Sequence, residues 1–273
     1  NIENIDLIAV NLYPFEEVKE NSCKEEKIIE NIDIGGPTLI RAAAKNYKFK
    51  IVVVDNNDFS IILDEMSNSK GVSLETRKYL ATKAFLYISN YDNMIAKWFL
   101  EDNKTNHYPK YFPLSAKLKY QLRYGENPHQ KGAVYLSDKN IKGALNAKLL
   151  QGDTLSYNNL NDADTAFNLV HEFSEPTVAI IKHANPCGVS SDVSIEIAWK
   201  KALNCDPISA FGGIISLNKK VTSVVAKLLI KKHSEIIIAP EFTASAIKIF
   251  KQKPKLKILD TRCKNHNEQI NYS

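Results

Sequence analysis

A lysine and a histidine stand side by side at the end of an apolar segment, and their side chains suit proton transfer and charge stabilisation. Residues 177–181 have the length and composition of a buried strand, Lys182 and His183 follow directly, and residues 184–188 have the composition of a turn. Ligands of α/β sheets bind beyond the carboxyl ends of strands. There Lys182 could supply a cation and His183 a general base. A lysine snorkelling beside a hydrogen-bonded histidine accounts equally well for this segment.

A second candidate site is the glycine-rich start of a predicted helix. Residues 35–37 read Gly-Gly-Pro, and the helix formers of residues 38–45 follow. Free N–H groups at a helix N-terminus, together with the helix dipole, can hold an anion or a developing oxyanion. Arg41 and Lys45 lie four residues apart and share a helix face. An ordinary glycine turn ahead of a solvated basic face explains the same pattern.

Two further segments combine polar residues with turn-forming residues. Arg123 and Tyr124 suit a phosphate and a flat ring, respectively. Residues 206–213, which include Gly212, precede a predicted strand. A polar loop with a structural arginine and a glycine turn into a strand are the alternatives without a ligand. For each segment, the residue types are compatible with a ligand-binding site and with a purely structural turn.

A zinc site is a weaker hypothesis. Pro186 and Cys187 are similar to the Pro-Cys-x-x-Cys motif of zinc deaminases, but Ser190 stands where the second cysteine belongs. No His-x-Glu motif precedes them. Because the zinc ligands are missing, we expect no bound metal.

These residues lie between segments that alternate in strand and helix pattern, which indicates an α/β layer structure. A polar stretch, residues 101–119, is the predicted linker, and a second unit starts near Leu122. Residues 251–273 form a polar tail. Strands are predicted at residues 6–12, 50–54, 177–182, 213–217 and 235–239, and helices at residues 25–31, 38–45, 162–173, 195–203 and 222–232.

One more predicted helix is long. Ser73 is its N-cap and Glu75 lies in its first turn. Apolar residues recur along it at helical spacing, which predicts a single buried face. That face consists of Ala81, Ala84, Phe85, Ile88, Tyr91, Ile95 and Phe99.

Composition and charge narrow the class of protein. The chain has 273 residues, 44% of them hydrophobic and 25% charged, as in globular domains. The net charge of +5 comes from lysines interspersed with acids, so no nucleic-acid-binding tract is indicated. No apolar run is long enough to span a membrane. The cysteines form no CxxC pair, which favours free thiols in a reducing compartment, the cytoplasm; they are Cys23, Cys187, Cys205 and Cys263.

Taken together and in order, these segments resemble one family, the bifunctional AICAR transformylase and IMP cyclohydrolase enzymes. The resemblance extends from about residue 6 to about residue 250. The segments that carry it are residues 11–15 (NLYPF), 32–46 (IDIGGPTLIRAAAKN), 122–130 (LRYGENPHQ), 182–188 (KHANPCG), 206–213 and 236–240.

The resemblance implies two domains. Residues 1–115 would be the C-terminal part of an IMP cyclohydrolase domain, and residues 116–273 the N-terminal part of an AICAR transformylase domain. The implied fold class is α/β, a partial methylglyoxal-synthase-like α/β domain followed by the first half of a cytidine-deaminase-like transformylase domain. The family's opening segment and the second half of its transformylase are missing, and the opening residues show no signal peptide. We therefore expect an internal fragment.

For the cyclohydrolase the resemblance implies that Tyr13 and Lys45 lie nearest the ring closure. In that step the carboxamide nitrogen of formyl-AICAR attacks the formyl carbon and water leaves. Lys45 would donate and accept protons, and Tyr13, Asp33 and Lys45 would converge beside the N-terminus of the helix after Gly36. The residues implied to bind the nucleotide are Val10, Asn11, Asp33, Ile34 and Gly35.

For the transformylase the resemblance implies that His183 is the base that takes a proton from the 5-amino group of AICAR. Lys182 would stabilise the transition state as the formyl group leaves 10-formyltetrahydrofolate. The residues implied to bind the nucleotide are Arg123, Tyr124, Gly212 and Glu235.

The resemblance also implies the partners. They are the nucleotides AICAR and formyl-AICAR, the co-substrate 10-formyltetrahydrofolate and, in the full-length form, a second copy in a homodimer. No nucleic acid, membrane or metal is expected. The alternative is a catalytically silent nucleotide-binding or assembly fragment of the same family.

Overall fold

The computed structural model describes residues 3–22, 24–69, 71–102, 108–137 and 142–262. The chain divides into two compact units, residues 1–116 and 117–273, and both mix helices with strands. Cys23 and Cys263, two of the predicted free thiols, lie outside the described residues.

The first unit is mainly helical around a two-stranded parallel sheet. Its two strands pair from Leu7 with Ile51 to Ala9 with Val53. A short 3-10 turn, residues 56–58, precedes its fourth helix. The elements are β1 (Leu7–Ala9), α1 (Phe15–Asn21), α2 (Glu25–Glu30), α3 (Gly35–Lys45), β2 (Ile51–Val53), α4 (Phe59–Asn68) and α5 (Leu74–Asp102).

The long helix α5 covers the core of this unit. Ser73 caps it as predicted, because its Oγ accepts a hydrogen bond from the Thr76 N–H at 3.1 Å. Most of the predicted apolar face is buried, but Phe85 and Phe99 are 42% and 51% exposed, contrary to the prediction. Leu80 is buried in addition to the predicted residues.

The second unit is built on a six-stranded mixed sheet, with a separate antiparallel pair, β3 and β4. The strand order is β5-β10-β9-β8-β6-β7. A 3-10 turn, residues 144–146, precedes the third strand. The elements are β3 (Lys117–Gln121), β4 (Ala133–Leu136), β5 (Lys148–Gln151), α6 (Tyr157–His171), β6 (Thr177–Lys182), β7 (Asn185–Ser191), α7 (Ile195–Cys205), β8 (Ile214–Leu217), α8 (Ser223–Leu229), β9 (Ile236–Ala239), α9 (Ala244–Phe250) and β10 (Lys257–Asp260).

Both faces of the large sheet are covered, which explains why its central strands are apolar throughout. Ile215 and Ile237 pack into a cluster with α7, α8 and α9. Their neighbours Ile214 and Ile236 point to the opposite face, where α6 packs. A strand alternates its side chains between faces, so a strand buried on both faces shows no alternation of polar and apolar residues.

Three sequence predictions for this unit were wrong. The loop predicted at residues 183–188 is only a two-residue turn, residues 183–184, because β7 begins at Asn185 and pairs along β6 as an edge strand. The helix predicted from residue 162 starts at Tyr157. The polar tail contains β10, whose Ile258 and Leu259 are fully buried between β5 and β9. Of these three, β10 depends on a strand distant in sequence, β5. By contrast, β7 pairs with the adjacent β6, and the start of α6 has a capping box within its own first turn.

Among the described residues, no helix combines the length and the apolar character that crossing a membrane requires.

Candidate functional site

In the first unit, the carboxylate of Asp33 joins two candidate segments. Its Oδ1 accepts a hydrogen bond from the Gly36 N–H at 2.7 Å, in the first turn of α3, and its Oδ2 accepts one from the Tyr13 N–H at 3.3 Å. An aspartate just before a helix satisfies N–H groups that have no partner within the helix. Asp33 therefore holds the strand–helix junction at Tyr13 against the start of α3.

Two tyrosines of α5 form hydrogen bonds with the backbone near Asp33 and Tyr13. The Tyr91 hydroxyl accepts from the Asp33 N–H at 3.0 Å and donates to the Asn31 carbonyl oxygen at 3.1 Å. Tyr91 is 3% exposed, and this burial raises the pKa of its phenol. The Tyr87 hydroxyl accepts from the Leu12 N–H at 3.5 Å. Sequence reasoning assigned Tyr91 only to an apolar helix face, because its polar contacts are with residues about 60 positions away.

The two glycines at the start of α3 have different surroundings. A Cβ on Gly36 would lie 2.7 Å from Asp33 Oδ2 and 2.7 Å from Leu12 Cδ2. A Cβ on Gly35 would meet no atom within 4 Å. Gly36 is thus required by close packing, whereas the space beside Gly35 is open to a ligand.

The remaining predicted residues of this unit are spread along its surface. Val10 is half-buried and its N–H donates to the Val53 carbonyl oxygen at 3.1 Å, while Asn11 is exposed. Tyr13 and Ile34 are 56% and 74% exposed. These four residues are therefore close in sequence to Tyr13 or Gly36, whose N–H groups bind Asp33.

Lys45 does not lie beside the N-terminus of α3, contrary to the predicted convergence. It is the last of the helix's 11 residues. At 1.5 Å per residue its Cα is about 15 Å along the axis from Gly35, beyond the reach of a lysine side chain. Tyr13 and Asp33 are brought together, and Lys45 is exposed at the other end of the helix.

In the second unit, Lys182 is the last residue of β6 and His183 the first residue of the turn after it. Lys182 is half-buried, and its Nζ donates to the Phe211 carbonyl oxygen at 3.0 Å. His183 is exposed. β6 runs antiparallel to β8, so the carboxyl end of β6 lies beside the amino end of β8, where Ile181 pairs with Ile214. The site is therefore at an edge where strands of both directions end, and not at a uniform carboxyl edge.

The turn between β6 and β7 has two residues in the left-handed region, with φ of 56° for His183 and 55° for Ala184. Both of its N–H groups donate to the carboxylate of Asp162, at 3.3 Å from His183 and 2.8 Å from Ala184. The Asn185 side-chain amide donates to the His183 carbonyl oxygen at 2.8 Å. Sequence reasoning placed Asp162 only at the start of a helix and missed this contact.

Gly212 and Glu235 lie at the same sheet edge. Gly212 has a φ of 77°, which favours glycine, and its N–H donates to the His233 carbonyl oxygen at 3.0 Å. The Glu235 N–H donates to the Gly213 carbonyl oxygen at 3.3 Å, and the Glu235 carboxylate accepts from the Asn159 amide at 3.1 Å. These contacts bring Glu235 to the first turn of α6.

Arg123 and Tyr124 are held beside the start of α6. The Arg123 N–H donates to the Leu155 carbonyl oxygen at 3.1 Å, and the Tyr124 carbonyl oxygen accepts from the Tyr157 N–H at 3.3 Å. The Arg123 guanidinium lies 5.8 Å from the centre of the Tyr124 ring, within the range of a cation–π contact. The guanidinium is exposed and available to an anionic group.

Two further kinds of site to consider in the described part of the chain are a metal site and a reactive cysteine. No group of three or more His, Cys, Asp or Glu side chains there has the arrangement to hold a metal ion. Cys187 is half-buried, and burial, with Asp206 nearby, raises the pKa of its thiol. A raised pKa disfavours the reactive thiolate at neutral pH.

Comparisons with known proteins identify the family of the chain. The model of the AICARFT/IMPCHase bienzyme family matches residues 43–273. The bifunctional purine biosynthesis protein PurH of Acetivibrio thermocellus is 47% identical over 262 residues, 95% of this chain and 51% of that protein. PurH of Rhodospirillum rubrum is 48% identical over 258 residues, 94% of this chain and 49% of the relative. The chain spans about half the length of these relatives. From the extent of the family match, the chain belongs to the AICARFT/IMPCHase bienzyme family.

Proposed function

We propose that the chain carries parts of two active sites of purine biosynthesis, one in each unit. The second unit would contribute to formyl transfer from 10-formyltetrahydrofolate to AICAR, and the first to the cyclisation of formyl-AICAR to IMP. The observation that carries the proposal is the pair Lys182 and His183, presented on a held turn at the sheet edge that also contains Gly212 and Glu235. Membership of the AICARFT/IMPCHase bienzyme family and the similarity to PurH, a purine biosynthesis protein, support it.

For formyl transfer, the 5-amino nitrogen of AICAR would attack the formyl carbon. The exposed imidazole of His183 would take a proton from that nitrogen. That amine is conjugated with the ring and is a poor nucleophile, so a base is needed. Negative charge then develops on the formyl oxygen, and the Lys182 ammonium would stabilise it. The bond from the formyl carbon to N10 of the folate breaks, and N10 receives a proton. Arg123, Tyr124, Gly212 and Glu235 would bind the nucleotide.

For cyclisation, the Gly35 backbone at the start of α3, where an added Cβ would meet no atom within 4 Å, would help to hold the oxygen that gains negative charge. Val10, Asn11, Asp33 and Ile34 would complete the nucleotide site, and the exposed Tyr13 hydroxyl would act on the reacting groups. Lys45 would take part as proton donor and acceptor only if the nucleotide extends along α3, since the helix separates Lys45 from Gly35.

The finer fold assignments belong to the same proposal. The first unit would be part of a methylglyoxal-synthase-like domain and the second the first half of a cytidine-deaminase-like transformylase domain. The full-length form would be a cytoplasmic homodimer, with 10-formyltetrahydrofolate as a co-substrate and not a resident group.

The test is His183→Ala in a polypeptide of the relatives' full length that contains this chain. Formyl transfer should fall about 10²- to 10⁴-fold, the usual contribution of a general base. IMP formation from formyl-AICAR should persist, because the two sites lie in separate units. Equal loss of both activities would mean misfolding and count against this role for His183. No activity in the unaltered polypeptide would favour the alternative, a catalytically silent nucleotide-binding protein.

A further inference from the structure

The turn that presents His183 has a left-handed backbone at two residues, neither of which is glycine. Two-residue hairpin turns with both residues in the left-handed region usually contain Asn and Gly. Here the residues are His183 and Ala184, with φ of 56° and 55°. In that conformation the Cβ of an L-residue crowds the following carbonyl oxygen. Backbone in such a sparsely populated region persists when its surroundings hold it there.

Asp162 supplies what holds the turn. Its Oδ1 accepts from the Ala184 N–H at 2.8 Å and its Oδ2 from the His183 N–H at 3.3 Å, so one carboxylate binds both amides of the turn. Hydrogen bonds to an ionised carboxylate are stronger than those between neutral groups. The acceptor of both turn N–H groups thus lies outside the β6–β7 hairpin.

The carboxylate is carried by a rigid element. Asp162 lies in the second turn of α6, and its neighbour Ala163 is fully buried against the sheet, as is Ala166. On the other side of the turn, the Lys182 ammonium is held by the Phe211 carbonyl oxygen. The exposed imidazole of His183 therefore extends from a backbone held on both sides.

We propose that Asp162 is a positioning residue for formyl transfer: by binding the His183 and Ala184 amides it keeps the turn left-handed and directs the imidazole toward the nucleotide. The inference rests on the proposed function of the second unit. Asp162 does not touch the reacting atoms and acts only through the turn. Misplacement of a catalytic group by about 1 Å can cost about 100-fold in rate.

The first test uses NMR on the 273-residue chain and needs no activity. In Asp162→Asn, amide hydrogen exchange at His183 and Ala184 should accelerate, and the short intraresidue amide–Hα distance typical of positive φ should disappear. Asp164→Asn is the matched control, because Asp164 lies on the same helix but accepts from Asn168 at 3.2 Å. It should leave the turn unchanged.

A rescue variant separates positioning from a general loss of structure. Ala184→Gly removes the Cβ that disfavours the left-handed region, so Asp162→Asn combined with Ala184→Gly should recover the positive φ at the turn. Unchanged exchange at the turn in Asp162→Asn would overturn the proposal. Accelerated exchange along the whole of α6 would also overturn it, because Asp162 would then stabilise the helix and not the turn.

The second test measures formyl transfer in a full-length polypeptide that contains this chain. Asp162→Asn should lower kcat about 10- to 100-fold with KM for AICAR unchanged, and Ala184→Gly should restore part of the loss. If the unaltered protein transfers formyl groups and Asp162→Asn does so at the same rate, the positioning role is wrong while the function stands. If the unaltered protein shows no transfer, the proposed function itself fails, and the role of Asp162 in that reaction fails with it.

Discussion

Two aspartates organise the candidate sites through backbone N–H groups. Asp33 binds the amides of Tyr13 and Gly36, and Asp162 binds those of His183 and Ala184. In each case one carboxylate joins segments that carry candidate residues. Neither aspartate needs to contact a substrate to matter, because a fixed backbone determines where Tyr13 and His183 point.

The packing of Gly36 makes a prediction at this scale. Gly36→Ala should destabilise the chain by about 1–3 kcal/mol, because the new methyl group would lie 2.7 Å from both Asp33 Oδ2 and Leu12 Cδ2. Urea unfolding followed by circular dichroism measures the change. Gly35→Ala is the control: with no atom within 4 Å of the new Cβ, stability should stay the same or rise by up to about 1 kcal/mol. Equal destabilisation by both variants would contradict this account.

Among the elements, α6 connects most of the second site. Its N-terminus lies beside Arg123 and Tyr124, its first turn carries Asn159, which binds Glu235, and its second turn carries Asp162. A capping box fixes the start of this helix: Ser156 Oγ accepts from the Asn159 N–H at 3.2 Å, and Asn159 Oδ1 accepts from the Ser156 N–H at 3.4 Å. A shift of α6 along its own axis would therefore move several candidate residues together.

Removing this cap should be measurable. Ser156→Ala should lower the free energy of unfolding by about 0.5–2 kcal/mol, the usual loss when an N-cap side chain is deleted. Ser156→Thr keeps an acceptor oxygen and should recover most of the loss. Thermal or urea unfolding gives both values. If Ser156→Ala were as stable as the unaltered chain, the capping box would not contribute to the start of α6.

For the whole molecule, the length of the chain matters most. It spans about half of the relatives it matches, and β1 pairs with only β2 among the described strands of the first unit. Catalytic groups work when held within about 0.5 Å of their productive geometry by a supporting shell. Under the proposed function, parts of the relatives outside the matched half would have to complete that shell at each site.

We therefore expect the 273-residue chain alone to lack both activities, whereas a full-length polypeptide that contains it should have them. One assay supplies AICAR with 10-formyltetrahydrofolate, a second supplies formyl-AICAR, and both follow IMP. Turnover by the chain at the full-length rate would show that the catalytic groups have been assigned to the wrong residues.

The local elements were predictable from the sequence because their signals lie within a few residues. The cap Ser73, the strand at residues 177–182 and the helix that begins at Ile195 depend on hydrogen bonds or apolar patterns of their own segment. The ordered motifs also indicated the family, which the family match confirms. The roles of the site residues stay predictions.

Other features were decided by the tertiary structure, because they depend on residues far apart in the chain. Residues 257–260 form a buried strand only because β5 and β9 flank them. The rise of α3 separates Lys45 from Asp33, although the motif places both in one segment. Asp162 contacts the turn 21 residues later because α6 packs on the sheet beside the end of β6. Sequence pattern records which residues can form an element, whereas packing between elements determines which side chains meet.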